Sequence, residues 1–165
     1  MSAIPTFTAL DFETAHGKRW SVCQIGLVRV VNGKITDKLD MLIQPPGNEY
    51  SQFNIGVHGI GPRHTAKAPT FNNVWHQIEP FIKNQDLVAH NMAFDNSCLQ
   101  QVLDYYSLAK PTYQKHCTYQ LFGSNLASLC KEHGIALNHH NALSDAMACA
   151  ELFMIHQKRS RAANG

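Results

Sequence analysis

The chain has no run approaching the ~18 apolar residues of a membrane span, and its first ten residues carry no basic segment followed by an apolar stretch. Neither a membrane helix nor a secretory leader is expected, so the reading is a cytoplasmic protein with no membrane partner. Cysteine is sparse and odd in number. Cys23, Cys98, Cys117, Cys130 and Cys149 are widely spaced and mostly set among apolar neighbours, which suits reduced core thiols better than a disulfide framework. A marked excess of one sign of charge is missing as well. The net value is +2 over 165 residues with histidines neutral, far from the strongly basic balance of a protein that grips duplex DNA mainly by charge. Internal repeats, linkers and a second core are also absent, leaving one domain over residues 1–160 and a short basic tail at 161–165.

What is present reads as sheet followed by alternating helix and strand. Residues 6–14 and Val22–Val31 are β-rich, Asn32-Gly33 is a hairpin signal, and residues 35–43 supply a third strand ended by Pro45-Pro46-Gly47. This predicts a three-stranded antiparallel meander. Residues 44–70 hold four prolines and four glycines without periodicity, and so read as a long loop of the functional or disordered kind. Val74, Trp75, Ile78, Phe81 and Ile82 recur at helical spacing, with Pro80 expected to kink that helix. Residues 87–89 read as a buried strand, 94–106 as a helix and 115–118 as a short edge strand. A helix at Leu126–His133 stops at Gly134. The last helix, 142–156, has Asn141 as N-cap and Leu143, Met147, Ala150 and Met154 on its inward stripe. The whole predicts an α/β layer structure with a mixed sheet.

Asp11 and Glu13, two apart on a strand, project from one face with Cα atoms roughly 6 to 7 Å apart. Phe7 and Ala9 on that face bring no positive charge, so a hard divalent cation, Mg²⁺ or Mn²⁺, is the natural counter-charge. An isolated Asp-x-Glu is more often a solvated strand end. Asp95 follows His90-Asn91-Met92-Ala93-Phe94, where the chain leaves a sheet, the place where α/β proteins build sites. Taken singly it is equally a first-turn helix aspartate. Asp145 shares that ambiguity, but His139, His140 and Asn141 precede it. The spacing of His140 and Asp145 lets one water contact both, which suits a general base whose ordinary pKa, about 6.5, needs little adjustment.

Together these segments resemble the DEDDh 3'→5' exonuclease family, which includes the proofreading epsilon subunit of DNA polymerase III and ribonuclease T. The resemblance is carried by Ala9-Leu10-Asp11-Phe12-Glu13-Thr14, Gln24-Ile25-Gly26, the stretches 54–60 and 88–95, and His140-Asn141-Ala142-Leu143-Ser144-Asp145-Ala146. It implies a ribonuclease-H-like fold, a mixed five-stranded sheet flanked by helices. It implies also that Asp11, Glu13, Asp95 and Asp145 converge on two divalent ions, Mg²⁺ or Mn²⁺, with His140 as general base. Two ions about 3.5 to 4 Å apart serve the attacking water on one side and the leaving 3'-oxygen on the other. Asp11 would bridge them, Glu13 and Asp145 would complete one site, and Asp95 would act at the other. Backbone at Phe12, Thr14 and Ala15 would approach the 3'-terminal sugar, His58 would lie near the terminal nucleotide, and Asn91 would hydrogen-bond the strand. The implied activity is stepwise release of nucleoside monophosphates from a single-stranded 3' end, with a polymerase or another replication or repair protein as a further partner.

The resemblance covers enzymes of DNA and of RNA. DNA is the preferred reading, and an RNA-trimming exoribonuclease of the same family is the alternative. A non-catalytic module that binds nucleic acid or a polymerase would be expected to lack part of the acidic set, and all of it is present. A zinc-binding domain from Cys130, His133, His139 and His140 fits no closed structural zinc spacing. No polymerase-binding tail is evident after the last helix, so a stand-alone trimming enzyme is as consistent with the sequence as a proofreader.

Overall fold

Residues 5–164 are described by the structure, a computed structural model. Met1 to Ile4, and Gly165 of the expected tail, lie outside the described residues. β1 (Phe7–Thr14), β2 (Val22–Val31) and β3 (Lys34–Leu42) form the expected meander. Asn32 and Gly33 at its first hairpin both have positive φ, 51° and 78°, as the hairpin turn that matches strand twist requires. α1 (Gln52–His58), α2 (Pro62–Thr65) and α3 (Phe71–Ile82) follow, then β4 (Asp86–Ala89), α4 (Met92–Tyr105), β5 (Gln114–Cys117), α5 (Thr118–Phe122), α6 (Leu126–His133) and α7 (Ala142–Asn164). The sheet has five strands in the order β3-β2-β1-β4-β5. β4 is parallel to β1 and β5 to β4, so the sheet is mixed, as expected.

Alternation along β1 divides its side chains between two cores. Leu10 and Phe12 join Ile25, Leu27, Phe71, Ile78, Leu87 and Leu99 under α3 and α4. Phe7 and Ala9 join Val28, Val30, Val88 and residues of α7 on the opposite face. Asp11 and Glu13 continue the Phe7–Ala9 side of that alternation, so both point toward the face that α7 covers.

Three expectations need correction. The stretch read as a loop is built from short elements: a 3-10 turn at Pro46–Asn48, then α1 and α2. It is ordered by polar contacts rather than apolar period, with Thr65 Oγ1 donating to Asn48 Oδ1 at 2.7 Å and Asn48 Nδ2 to the Pro62 carbonyl at 2.9 Å. Pro80, the residue expected to kink α3, lies inside it in the last turn, between the buried Ile78 and Ile82. The face of α7 on the sheet is made of Ala142, Ala146, Cys149, Ala150 and Phe153. Leu143, Met147 and Met154 of the expected stripe are only partly buried beside it. α7 also runs past residue 156 to Asn164, through most of the expected tail. The cysteines are free, and all but Cys117 are buried. No helix among the described residues is long and apolar enough to cross a membrane.

Candidate active site

The position of α7 is set by a glycine. Gly26 on β2 stands opposite Asp11 on β1, and a Cβ there would collide with the backbone of Ala142. Beside it, Gln24 Oε1 accepts a hydrogen bond from the Ala142 N–H at 3.1 Å. Asn141 caps the helix as expected, its Oδ1 accepting from the Ser144 N–H at 3.1 Å. These contacts bring the first turn of α7 against the sheet, and with it Asp145.

Asp11, Glu13 and Asp145 consequently offer carboxylate oxygens that all lie within 4.8 Å of one another. Asp95, in the first turn of α4, is outside that trio, and its Oδ1 accepts from the Phe12 N–H at 3.0 Å. Burial pushes the Asp11 carboxyl well above the carboxylate range, and the fields of Asp95, Glu13 and Asp145 push it further. Burial, then Asp145 and Asp95, raises Glu13 to about 8. Asp95 rises to about 8 through burial, against the opposing Phe12 hydrogen bond. Asp145 is raised by burial and partly relieved by His139. Such a cluster is poorly satisfied by protein groups alone, and Asp11 Oδ2 is buried without a hydrogen-bond partner among the described residues. Hard, clustered oxygen donors with an orphaned buried oxygen fit a divalent cation of the Mg²⁺ or Mn²⁺ type.

Two histidines border the cluster. The His140 N–H donates to Asp145 Oδ2 at 3.1 Å, and His139 Nδ1 lies 3.3 Å from Asp145 Oδ1. The two rings stack with centroids 3.8 Å apart. His140 has a positive φ of 64°, a strained conformation for a non-glycine residue. Burial and the neighbouring His139 lower its pKa, with Asp145 opposing, so the imidazole is neutral near pH 7. Sequence spacing singled out His140 but gave no sign that His139, through its side chain, also touches Asp145. Cys130 and His133 join no metal-binding group among the described residues, and Cys130 is buried in a core with Leu126 and Leu129.

The remaining expected contacts divide. Asn91 is exposed at the entry to α4, in a left-handed conformation with no side-chain cap bond, and is free to meet a strand. His58 accepts from the Ile60 N–H at Nδ1, 3.0 Å, and its Nε2 reaches the Thr14 carbonyl at 2.8 Å. Both ring nitrogens are therefore occupied, Nε2 at the end of β1 and Nδ1 in the turn after α1. Asn54 Nδ2 reaches the same carbonyl at 3.0 Å. Thr14 is buried, and Phe12 places its side chain in the core, leaving only its backbone on the cleft. Ala15 is fully buried with its N–H bonded to Ser21 and its carbonyl to Ser51. Both backbone groups of Ala15 are thus bonded within the protein. His90 is a structural histidine, held by Thr118 Oγ1 at 2.8 Å and the Ser124 carbonyl at 3.0 Å.

Comparison with known proteins agrees with this geometry. A family model described as an exonuclease matches residues 8–153. A DNA polymerase III of PolC type from Streptococcus mutans is 28% identical over 97% of the chain, which spans only 12% of that relative's length. A structure of exonuclease X in complex with 5' overhanging duplex DNA superposes with a TM-score of 0.73 at 23% identity, over 93% of this chain and 92% of that one. A 3'-exonuclease described with 3'-end specific recognition of histone mRNA stem-loop gives 0.74 at 16% identity, over 96% of this chain and 84% of that one. With the match covering almost all of the sheet and helices that build the acidic cluster, the chain belongs to the exonuclease family that this model describes, a family of the DEDDh-like 3'→5' kind.

Proposed function

We propose that this chain removes nucleoside monophosphates stepwise from the 3' end of a single strand, with DNA as its substrate. The observation that carries the reading is the trio of Asp11, Glu13 and Asp145 with its buried, unpartnered Asp11 oxygen, set beside two histidines along one cleft. Asp11, Glu13 and Asp145, with Asp95 across from them, would hold two divalent cations, whose chemistry is to polarise the phosphoryl group and make water a better nucleophile. The chain's own groups do the rest. His140, neutral near pH 7, takes the proton of the attacking water, and His139 and the Asp145 carboxylate fix where it stands. Asn91 positions the strand at the entry to α4. The preference for DNA is supported by the likeness to exonuclease X and to a PolC-type polymerase, and association with a polymerase is a proposal on the same ground. The neighbour concerned with histone mRNA supports the RNA reading instead.

End-labelled single-stranded DNA, single-stranded RNA and a mismatched duplex, each with Mg²⁺ or Mn²⁺, separate these readings. A ladder shortening from the 3' end is expected, faster on DNA and blocked by a 3'-phosphate. Internal fragments released from a circular strand would refute it. His140→Ala should lower kcat far more than it raises KM and should remove the acidic limb of the pH profile. An unchanged profile would exclude His140 as the base.

A further inference from the structure

We propose that the loop at residues 15–21 and the outer face of α4 form a stacking platform for bases of the substrate strand several nucleotides upstream of its 3' end, an inference that rests on the nuclease reading above. The loop is a built feature. Ser21 is fully buried, its hydroxyl donating to the Lys18 carbonyl at 2.6 Å and accepting from the His16 N–H at 3.1 Å. The Ala15 N–H closes the loop onto the Ser21 carbonyl at 2.7 Å. Pinned in this way, the loop lays Arg19 and Trp20 along α4.

Arg19 places its guanidinium 5.2 Å over the ring of Phe94, the residue before Asp95 and part of the acidic cleft's lining. Trp20 stacks on Tyr105 with centroids 4.8 Å apart and planes inclined by 25°, and His16 meets Trp20 edge-on at 5.1 Å. Phe94 and Tyr105 lie on one face of α4, because their separation comes within about 20° of three full turns. Along the axis it is about 16 Å. Trp20 and Tyr105 belong to neither sheet core among the described residues, and Tyr105 is 49% exposed. Each ring covers one face of the other, and what Tyr105 leaves exposed is not spent on a sheet core.

The charges suit a polyanion. Lys18 and Arg19 are exposed, and Asp104, the acid next to Tyr105, is engaged by Lys110 at 2.8 Å. A basic track with aromatic faces is how single strands are held without sequence preference. The occupant is the strand already in the active site, since the platform begins at the cleft's own Phe94. At about 3.4 Å per stacked nucleotide, it reaches roughly the fourth to sixth nucleotide from the end.

The test uses a 5'-labelled DNA strand, intact or abasic at those three nucleotides, with initial removal of the terminal nucleotide in Mn²⁺. For the parent protein the abasic strand should raise KM about tenfold with little change in kcat, the size expected for lost base–aromatic stacking. Trp20→Ala and Tyr105→Ala should show that loss on the intact strand and no further loss on the abasic one. A parent indifferent to the abasic sites overturns the platform, and needs no variant that must fold. Losses that multiply between variant and abasic strand overturn it too, and would point to a protein partner for these rings. A parent that does not shorten the intact strand defeats the nuclease reading instead. The platform must then still show the tenfold difference in fluorescence anisotropy of the same two strands.

Discussion

Under α3 and α4 the sheet is filled with large side chains, Leu10, Phe12, Ile25 and Leu27 meeting Phe71, Ile78 and Leu99. Under α7 the helix instead offers Ala142, Ala146, Cys149 and Ala150, and the sheet answers at one point with Gly26. The first face is thick and holds the domain together by apolar area. The second lets a helix backbone reach a strand backbone, and only such an approach carries Asp145 to within reach of Asp11 and Glu13. One face serves stability and the other serves position, so perturbing them should separate stability from chemistry.

The largest effect is expected from Gly26→Ala, where the added methyl meets Ala142 backbone that cannot swing aside. A stability loss of about 3 kcal/mol or more is expected, together with loss of activity in the fraction that still folds. Thermal melts and turnover per folded molecule measure both, and full activity at parental stability would show that α7 is held elsewhere.

Next in size is the response to metal, whose carboxylate trio lies on the α7 face and is joined by Asp95 from α4. A cation that binds only the folded state stabilises it by about 2.7 kcal/mol at a hundredfold excess over its Kd. The sign with pH follows from Glu13 and Asp95, both raised to about 8. The folded protein keeps protons that the unfolded chain releases, so this contribution is full below about pH 4 and lost as pH rises through 8. Melting in chelator should therefore fall from pH 5 to pH 8, while the gain from Mn²⁺ grows as protons leave its ligands. Asp11→Asn should melt no lower than the parent in chelator and lose most of the Mn²⁺ gain. If it melted well below the parent and kept the gain, Asp11 would be a structural aspartate.

The smallest effect is expected on the thick face. Ile78→Val removes one methylene from a fully buried position and should cost about 0.5 to 1.5 kcal/mol, with turnover per folded molecule and the Mn²⁺ gain unaltered. A loss of either would tie the two faces together.

Sequence reading reached what is regular and missed what depends on partners distant in the chain. The meander was legible because β-branched runs and an Asn-Gly turn act locally. α6 was legible to the residue because Gly134 takes a positive φ of 67° that closes it. α1 was not, since it buries no residue and so has no apolar period to read. The stripe on α7 was misplaced because close packing selects small residues, which carry little hydrophobic signal. Asp11, Glu13 and Asp145 were paired by resemblance, and the structure shows the means in Gln24 and Gly26. The backbone of Ala15 is bonded within the loop that Ser21 closes, a closure between residues whose pairing no local pattern announces.

The hydrogen bond from Ala142 to Gln24 spans 118 positions of the chain. Closing a loop of that length costs about 4 kcal/mol in chain entropy beyond a constant, whereas the meander closes over a few residues. Folding should thus make the sheet first and dock α7 last. Until then Asp11 and Glu13 face water, and their repulsion is screened by solvent. The charge crowding on which the chemistry depends is thereby postponed to the final step, when most of the apolar surface is already buried and can bear it.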